Sequence, residues 1–508
     1  HPCRNGFNKE TFILSVDVGT TSIRCHVYDK EANIRGLCST EVVLLYPEVG
    51  HVEMDPDELW RGFITVVKGA VQDAGAHMHQ IEALGISTQR GTITTWNRTT
   101  GVPFHNFITW QDQRAADLVK SWNRSCTMKV SLCIIYVMKT LYFLSRQKRC
   151  LAASLIVFST QHVTFPVAEG NCCFGTIDSW LLFKLTKGLI HVTDYSNASS
   201  TGIFDTYQMC WSGFFCSLFS LPISIFPKVV NTDHDFGSTD PSIFGVSIPI
   251  KSVIADQQAA MFGECCFDVG DVKITMGTGT FMDINTGSKP HTSVAGLYPL
   301  VGWKIGSELV YLAEGSSADT GTAIKWAQEL ELFSDVQETS AMAYSVSDSD
   351  GVCFVPSFSA CASLMGLKPS TTKCHLIRAI LESIAFRNKQ LYDTMLRETR
   401  IPITRIRVDG GVSSNDFVMQ LTADLFGKKV TRPQHCEMSC LGAAFVAGLG
   451  TGFWRTREEL KKLQSTDEVF VPQGLPKGGA YCPGREYIPV IQSWESALRR
   501  SMNWYGKP

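Results

Sequence analysis

The first apolar runs of the chain alternate around a glycine. In TFILSVDVGTTSIRCHVYDKEANIRG an apolar run, a Gly/Thr turn, a second alternating run and a polar turn follow one another, which predicts a β-hairpin. A helix is expected next, in DPDELWRGFITVVKGAV, with Asp55 as N-cap, Pro56 at the first helical position and an apolar face of Leu59, Trp60, Phe63, Val66 and Val67. IEALGISTQRGTITTWNRTTG then reads as a short buried strand, a polar loop and a second strand. In the other half, VSIPIKSVIADQQAAMFGECC predicts a strand running into a helix, and GDVKITMGTGTFMDINTG again pairs two apolar strands across a Gly/Thr turn. That second hairpin lies about half a chain length beyond the first, so the architecture suggests a two-domain duplication with a boundary near Pro249. IRVDGGVSSNDFVMQLTADLFG reads as strand, glycine turn and amphipathic helix, and SCLGAAFVAGLG as a small-residue helix suited to close packing. Strands and helices mixed in this way indicate an α/β or α+β class.

Composition narrows the partners. The 508 residues carry 46 Lys and Arg against 48 Asp and Glu, a formal charge of −2, so neither nucleic acid nor an anionic membrane is the expected partner. With 44% hydrophobic residues the chain has ample material for a core. The 18 cysteines are spread without a CxxC pair, so the vicinal pairs Cys172/Cys173 and Cys265/Cys266 read as reduced, packed thiols and the chain as cytoplasmic. The opening HPCRNGFNKE has no apolar run of the kind a secretory leader carries. The most apolar stretch, Val130 to Leu144, is cut by Lys139 and flanked by Arg146, Lys148 and Arg149, short of the roughly 20 apolar residues a spanning helix needs. Sequons at Asn97, Asn123 and Asn197 are expected to be chance occurrences.

Four features suggest a nucleotide phosphate site. In DVGTTS, Asp17 stands beside a glycine and three hydroxyl residues, a turn whose N–H groups could cradle phosphate oxygens while the carboxylate attracts Mg²⁺. GTGT at Gly277 to Thr280 and DGG at Asp409 to Gly411 are two more such turns, each following an apolar strand. Neither a GxxxxGK[ST] loop nor a kinase glycine-rich loop is present. The fourth feature is IADQQAAMFG, where Asp256 stands between strand and helix. It is open to two readings, a helix N-cap or a general base that takes a proton from an attacking hydroxyl.

The motifs DVGTTSIR, ISTQR, FGTIDSWLLFKLT, HVTDYSNASSTGIFD, ADQQAAMFG, MGTGTF, VDGG and SCLGAAFVAG, with ASLMGLKPSTTKCHLIRAILESIAFR, occur in the order found in FGGY carbohydrate kinases. Within that family the chain resembles the glycerol kinases over nearly its whole length. The resemblance implies two ribonuclease H-like (actin/hexokinase-type) α/β domains around a nucleotide cleft. They would comprise residues 11–250 and 251–455, followed by a C-terminal extension over 456–508. It implies ATP and Mg²⁺ as cofactors and a small polyol, glycerol, as the molecule phosphorylated. By the same resemblance Asp256 would be the base and Gln257 would hold a substrate hydroxyl, with Arg90 and Trp110 at the polyol and Asp17 at Mg²⁺. Thr20, Thr21, Ser22 and Arg24 would face the phosphates, with Gly277 and Thr278 as the second phosphate turn. Gly321, Lys325, Gly411 and Asn415 would line the adenosine side; the family often has Gln in place of Lys325.

Two departures from the family pattern bear on substrate. The glycerol kinase loop reads TQRETT, whereas this chain has TQRGTI, so Gly91 replaces a carboxylate that would accept from two adjacent glycerol hydroxyls. The chain also runs from STQHVTFPVAEG straight to NCCFGTID, and has VPSFSACASLMG where relatives carry a GLGAPYW-type loop. These departures keep two alternatives in view: a kinase for another polyol or sugar, and a catalytically silent nucleotide-binding protein that engages a protein partner or a second copy of itself.

Overall fold

The computed structural model describes residues 10–118, 167, 169–293, 295–358, 361–435, 437–464, 468–473 and 487–502. The Val130–Leu144 stretch, the Asn123 sequon and most of STQHVTFPVAEG lie outside the described residues. The chain divides into two compact α/β units. The first comprises His1–Phe267, Thr286–Leu312 and Met438–Gln464; the second comprises Asp268–Asn285, Ala313–Glu437 and Ser465–Pro508.

The first unit is built on a five-stranded sheet of β1 (Phe12–Val18), β2 (Ser22–Tyr28), β3 (Ile34–Glu41), β4 (Ile81–Thr88) and β5 (Ile250–Ala255) in the order β5-β4-β1-β2-β3. The expected hairpin is β1 against β2, antiparallel, while β4 lies parallel to both β1 and β5. Every residue of β1 is buried, as a central strand covered on both faces requires. The helix Pro56–Asp73 starts as its sequence predicts: the Asp55 carboxylate accepts from the N–H groups of Asp57 and Glu58, and Leu59, Phe63, Val66 and Val67 enter the core. Trp60 packs against that core only partly buried.

Ile81–Thr88 and Ile93–Asn97, adjacent in sequence, belong to different sheets. Ile93–Asn97 pairs antiparallel with Cys172–Thr176, in a four-stranded sheet that also holds Glu53–Met54 and Phe107–Ile108. The small-residue helix Met438–Thr451 packs against the helix Asp256–Gly263 at backbone contact. A methyl group at Gly442 would lie 1.7 Å from the Ala259 carbonyl oxygen, and one at Gly263 2.4 Å from that of Met438.

The second unit repeats the strand logic. Its sheet runs through β6 (Asp271–Met276), β7 (Thr280–Gly287), β8 (Arg405–Asp409), β9 (Val430–Arg432) and β10 (Glu468–Phe470) in the order β7-β6-β8-β9-β10. β6 and β7 form the second hairpin, antiparallel, and β8 and β9 continue in parallel from β6. Lys273 and Asp283, opposite each other on β6 and β7, form a fully buried ion pair at 2.9 Å. The KCHLIRAILESIAFR part of ASLMGLKPSTTKCHLIRAILESIAFR opens the 27-residue helix Lys373–Thr399, in which buried Arg378 and Glu382 pair at 2.9 Å.

Cys172, Cys173, Cys265 and Cys266 are buried free thiols. Burial pushes the Cys172 thiol up to about 12. Asn197 is buried and hydrogen-bonded to protein groups, so its sequon offers no accessible amide. Among the described residues, no helix is long and apolar enough to cross a membrane.

Candidate active site

Three parallel strands of the first unit end level. Val18 on β1 aligns with Thr88 on β4, and Thr88 with Ala255 on β5. The residues that leave these strands therefore meet at one edge of the sheet: the Gly19–Ser22 turn, Gln89–Gly91, and Asp256–Gln257. The carboxyl ends of parallel strands are where open α/β sheets bind ligands, because the ladder fixes the exits while leaving their side chains free.

Asp17 sits one residue before the end of β1, directly across from Arg24 on β2 and Ser87 on β4. The Ser87 hydroxyl donates to Asp17 Oδ1 at 2.7 Å. The turn that follows is clamped. Gln89 donates from Nε2 to the Gly19 carbonyl at 2.9 Å, and the Thr20 hydroxyl reaches Gln89 Oε1 at 3.4 Å. The Trp110 indole N–H donates to Thr20 Oγ1 at 3.0 Å, and the Trp110 backbone N–H to Thr92 Oγ1 at 3.3 Å. Trp110 is thus half-buried and bonded to the phosphate-type turn. Thr21 is exposed, and its carbonyl accepts from the Val42 N–H at 2.9 Å; Ser22 and Arg24 are half-buried.

Asp256 is not a helix N-cap. Ala255 takes that position with no side-chain cap bond, and Asp256 is the first helical residue, its Oδ1 accepting from the Gln257 N–H at 2.7 Å. Ala255 is also the last paired residue of β5, so the strand passes directly into the helix. Arg90 Nε lies 3.4 Å from Asp256 Oδ1, and the two side chains are 11% and 22% exposed, a partly shielded pair open to a small ligand. Gln257 is buried beside them. Gly91 has φ +67°, a left-handed conformation that side-chain-bearing residues rarely adopt, and a methyl group there would meet nothing nearer than Trp110 Cβ at 3.7 Å.

A buried polar network that motif reading left without a role lies behind this edge. Asp194 accepts from the N–H groups of Ser196 and Asn197, the Ser196 hydroxyl and the Asn197 amide, all at 2.9 Å, and from the Thr232 hydroxyl at 3.0 Å. Burial raises the Asp194 pKa, opposed by these donors. The only sequence signal was the quoted HVTDYSNASS motif.

In the second unit Gly277, Thr278, Gly321, Gly411 and Asn415 sit on the exits of β6 and β8 or on helices that abut them. The Gly277 N–H bonds the Gly279 carbonyl at 2.9 Å, and the start of the helix Gly321–Glu329 docks on this turn: Gly321 N–H to the Gly277 carbonyl at 3.0 Å, Thr320 N–H to the Thr278 carbonyl at 3.1 Å. A methyl group at Gly321 would lie 2.6 Å from the Gly277 oxygen. Lys325, farther along that helix, is exposed. At the β8 exit Thr275 donates to buried Asp409 at 2.5 Å, and Gly410 (φ +86°) passes within van der Waals reach of Met276, leaving Gly411 with open space around it. Asn415 caps the helix Asp416–Phe426. Its oxygen accepts from the Val418 N–H at 3.1 Å and its amide donates to Thr339 Oγ1 at 2.9 Å, so both ends are engaged. The shortened VPSFSACASLMG segment joins two paired strands, Cys353–Val355 and Ser363–Met365; residues 359–360 lie outside the described residues.

Among the described residues no three His, Cys, Asp or Glu side chains converge as a metal cage. The donor set at Asp17, one carboxylate beside hydroxyl groups, fits a hard cation that takes its other ligands from water and phosphate, the usual manner of Mg²⁺.

Residues 12–263 match the N-terminal domain and residues 272–451 the C-terminal domain of the FGGY family of carbohydrate kinases. Glycerol kinase 5 of Danio rerio is 70% identical, with 99% of each chain covered, and glycerol kinase 5 of Homo sapiens is 56% identical, with 98% of this chain and 96% of the relative covered. Among solved structures, Plasmodium falciparum glycerol kinase with ADP superposes with a TM-score of 0.86 at 28% identity, over 97% of this chain and 98% of that one.

Proposed function

Since the chain belongs to the FGGY family of carbohydrate kinases, we propose that it transfers the γ-phosphoryl group of ATP to a terminal hydroxyl of glycerol, giving sn-glycerol 3-phosphate and ADP. The observation that carries this reading is the Asp256–Arg90 pair, held at the level ends of β1, β4 and β5 beside the Asp17 turn. Similarity to relatives named glycerol kinase supports the acceptor, and a related structure that holds ADP supports the nucleotide.

In this reading Asp256 takes the proton of the attacking hydroxyl. Its position in the first helical turn and the Arg90 guanidinium 3.4 Å away both favour the ionised carboxylate, the form that can accept that proton. Arg90 and Gln257 orient the polyol, and Trp110 fixes the turn through Thr20. Thr20, Thr21, Ser22, Arg24 and the Gly277–Thr278 turn contact phosphates; Gly321, Lys325, Gly411 and Asn415 lie toward the adenosine. Asp17 would hold Mg²⁺, which supplies neutralisation of phosphate charge when bound with the nucleotide. Phosphoryl transfer needs little covalent help, so positioning and charge are what these residues contribute.

The test is ADP release by the purified chain with MgATP, with and without glycerol, against Asp256→Asn. Glycerol-stimulated release that falls by roughly 10² to 10⁴ in the variant, with ATP binding retained, is the expected result. No release above the variant, from folded protein that binds ATP, would overturn glycerol phosphorylation and leave the silent nucleotide-binding protein. A second reading, a different polyol as acceptor, is favoured by Gly91, whose missing carboxylate leaves two glycerol hydroxyls without an acceptor. A polyol panel in the same assay separates the two.

A further inference from the structure

Asp194 lies outside every role assigned above, yet it ties together the two strand exits on which the proposed chemistry rests. One arm runs through Ser196. Its hydroxyl donates to Asp194 Oδ1 and accepts the Ala255 N–H, both at 2.9 Å, so the amide of the residue before Asp256 hangs from Asp194. The other arm runs through Asn197. Its amide donates to Asp194 Oδ1 at 2.9 Å and its oxygen accepts from the Thr88 hydroxyl at 3.2 Å, two residues before Arg90. Thr232 completes the set of donors from a third segment. All five groups that reach this carboxylate donate and none accepts. Three of the five, the N–H groups of Ser196 and Asn197 and the Asn197 amide, can only donate and fall on both oxygens, so an amide in place of the carboxylate would turn an NH₂ toward a donor whichever way it faced.

We propose that Asp194 is a positioning residue for phosphoryl transfer: through Ser196 and Asn197 it sets the spacing of Asp256 and Arg90. This rests on Asp256 acting as the base. The fold alone does not call for such a bridge, because β4 and β5 are already joined by their parallel ladder. What the network adds is a fixed position for the last residue of each strand, where ladder bonding ends. Asp194 is fully buried behind the strand exits, so its loss is expected in turnover rather than in affinity.

The experiment uses the full chain and three variants, Asp194→Asn, Ser196→Ala and Thr88→Val, the last two cutting one arm each. Displacing a reacting group by about 1 Å costs on the order of 10²-fold, so Asp194→Asn is expected to lower kcat by roughly that factor and each single-arm variant by roughly 10-fold. KM for glycerol and for ATP should stay within about threefold, the signature of a lost transition-state arrangement rather than lost binding. Hydrogen exchange of the Ala255 amide supplies a readout that needs no substrate: it should quicken in Ser196→Ala and Asp194→Asn while the rest of β5 stays protected. If Asp194→Asn does not fold, the single-arm variants decide. Wild-type kcat in both, or wild-type exchange at Ala255 in Ser196→Ala, would overturn the proposal. Should the wild-type chain release no ADP with glycerol while exchange at Ala255 still quickens, the anchoring of Ala255 stands and it is the acceptor or activity that fails.

Discussion

Replacing Gly442 with alanine tests how the helix that carries Asp256 is held. The added methyl would lie 1.7 Å from the Ala259 carbonyl oxygen and 2.5 Å from its carbon, where ordinary contact begins at 3.4 Å. The obstacle is backbone, which has no rotamer to yield, so the helices Met438–Thr451 and Asp256–Gly263 must part by roughly 1.5 Å. Overpacking of this kind costs about 1–3 kcal/mol, and a backbone obstacle puts it near the upper end. Alanine also gains about 1 kcal/mol over glycine as a helix former, which masks part of that cost. Gly450 on the same helix supplies the correction: a methyl there meets Lys251 at 3.6 Å and 3.7 Å, ordinary contacts, so Gly450→Ala carries the propensity gain without the clash. The difference between the two variants isolates the steric term at about 3 kcal/mol, or several degrees in Tm for a unit of this size. Differential scanning calorimetry measures it, and ADP release measures the consequence, since a shift of about 1 Å at Asp256 should lower kcat by on the order of 10²-fold. Gly442→Ala as stable and as active as Gly450→Ala would refute the close approach of these helices.

Gly91→Glu should lower KM for glycerol if a carboxylate there takes up the polyol hydroxyls, while φ +67° costs the variant about 1–2 kcal/mol of stability. Gly91→Asn, which tolerates that conformation better, is the reference, and equal KM in the two variants would count against the idea. Gly321→Ala drives a methyl to 2.6 Å from the Gly277 oxygen and should weaken ATP binding by roughly 10-fold in calorimetric titration, whereas Lys325→Gln at an exposed site should change it by less than about twofold. Asp178 and His191 should oppose each other in acid. Burial raises the Asp178 carboxyl to about 6, so the stability it contributes is full below pH 3.8 and is lost as pH rises through about 6. Burial lowers His191 to about 4, so its contribution is full above pH 6.5 and is lost as pH falls through about 4. Relative to the wild type, Tm of His191→Gln should therefore fall, and that of Asp178→Asn should rise, as pH goes from 4 to 6. Parallel Tm curves for all three chains would refute the assignment.

The elements most legible in the sequence were those fixed by near neighbours. The hairpins Phe12–Tyr28 and Asp271–Gly287 announce themselves by apolar runs around Gly/Thr turns, and the helix Pro56–Asp73 by its Asp55 cap. The small-residue helix was legible because close packing needs small side chains, and at Gly442 only glycine allows the backbone contact found. Less legible was anything decided by a distant strand. Ile93–Asn97 leaves the sheet of its neighbour Ile81–Thr88 because its partner, Cys172–Thr176, lies far along the chain. Asp256 in isolation can be read as a cap, whereas the helix in fact starts at Asp256, directly after Ala255, the last residue paired on β5. The Trp110–Thr20 bond and the donors around Asp194 join segments whose proximity no local pattern encodes.

This division has a physical origin. A residue at a strand exit must suit a turn and carry reactive chemistry within a few positions, so its requirements are written locally as DVGTTS, TQR or ADQQ. The residue that holds the exit in place needs only a buried acceptor at the right point in space, which a Thr, Ser or Asp from elsewhere in the chain can supply. Changes at the exits should therefore alter which molecules bind and which proton moves. Changes at the supports should leave recognition largely intact and lower the rate, because near-contact geometry rather than affinity is what they maintain.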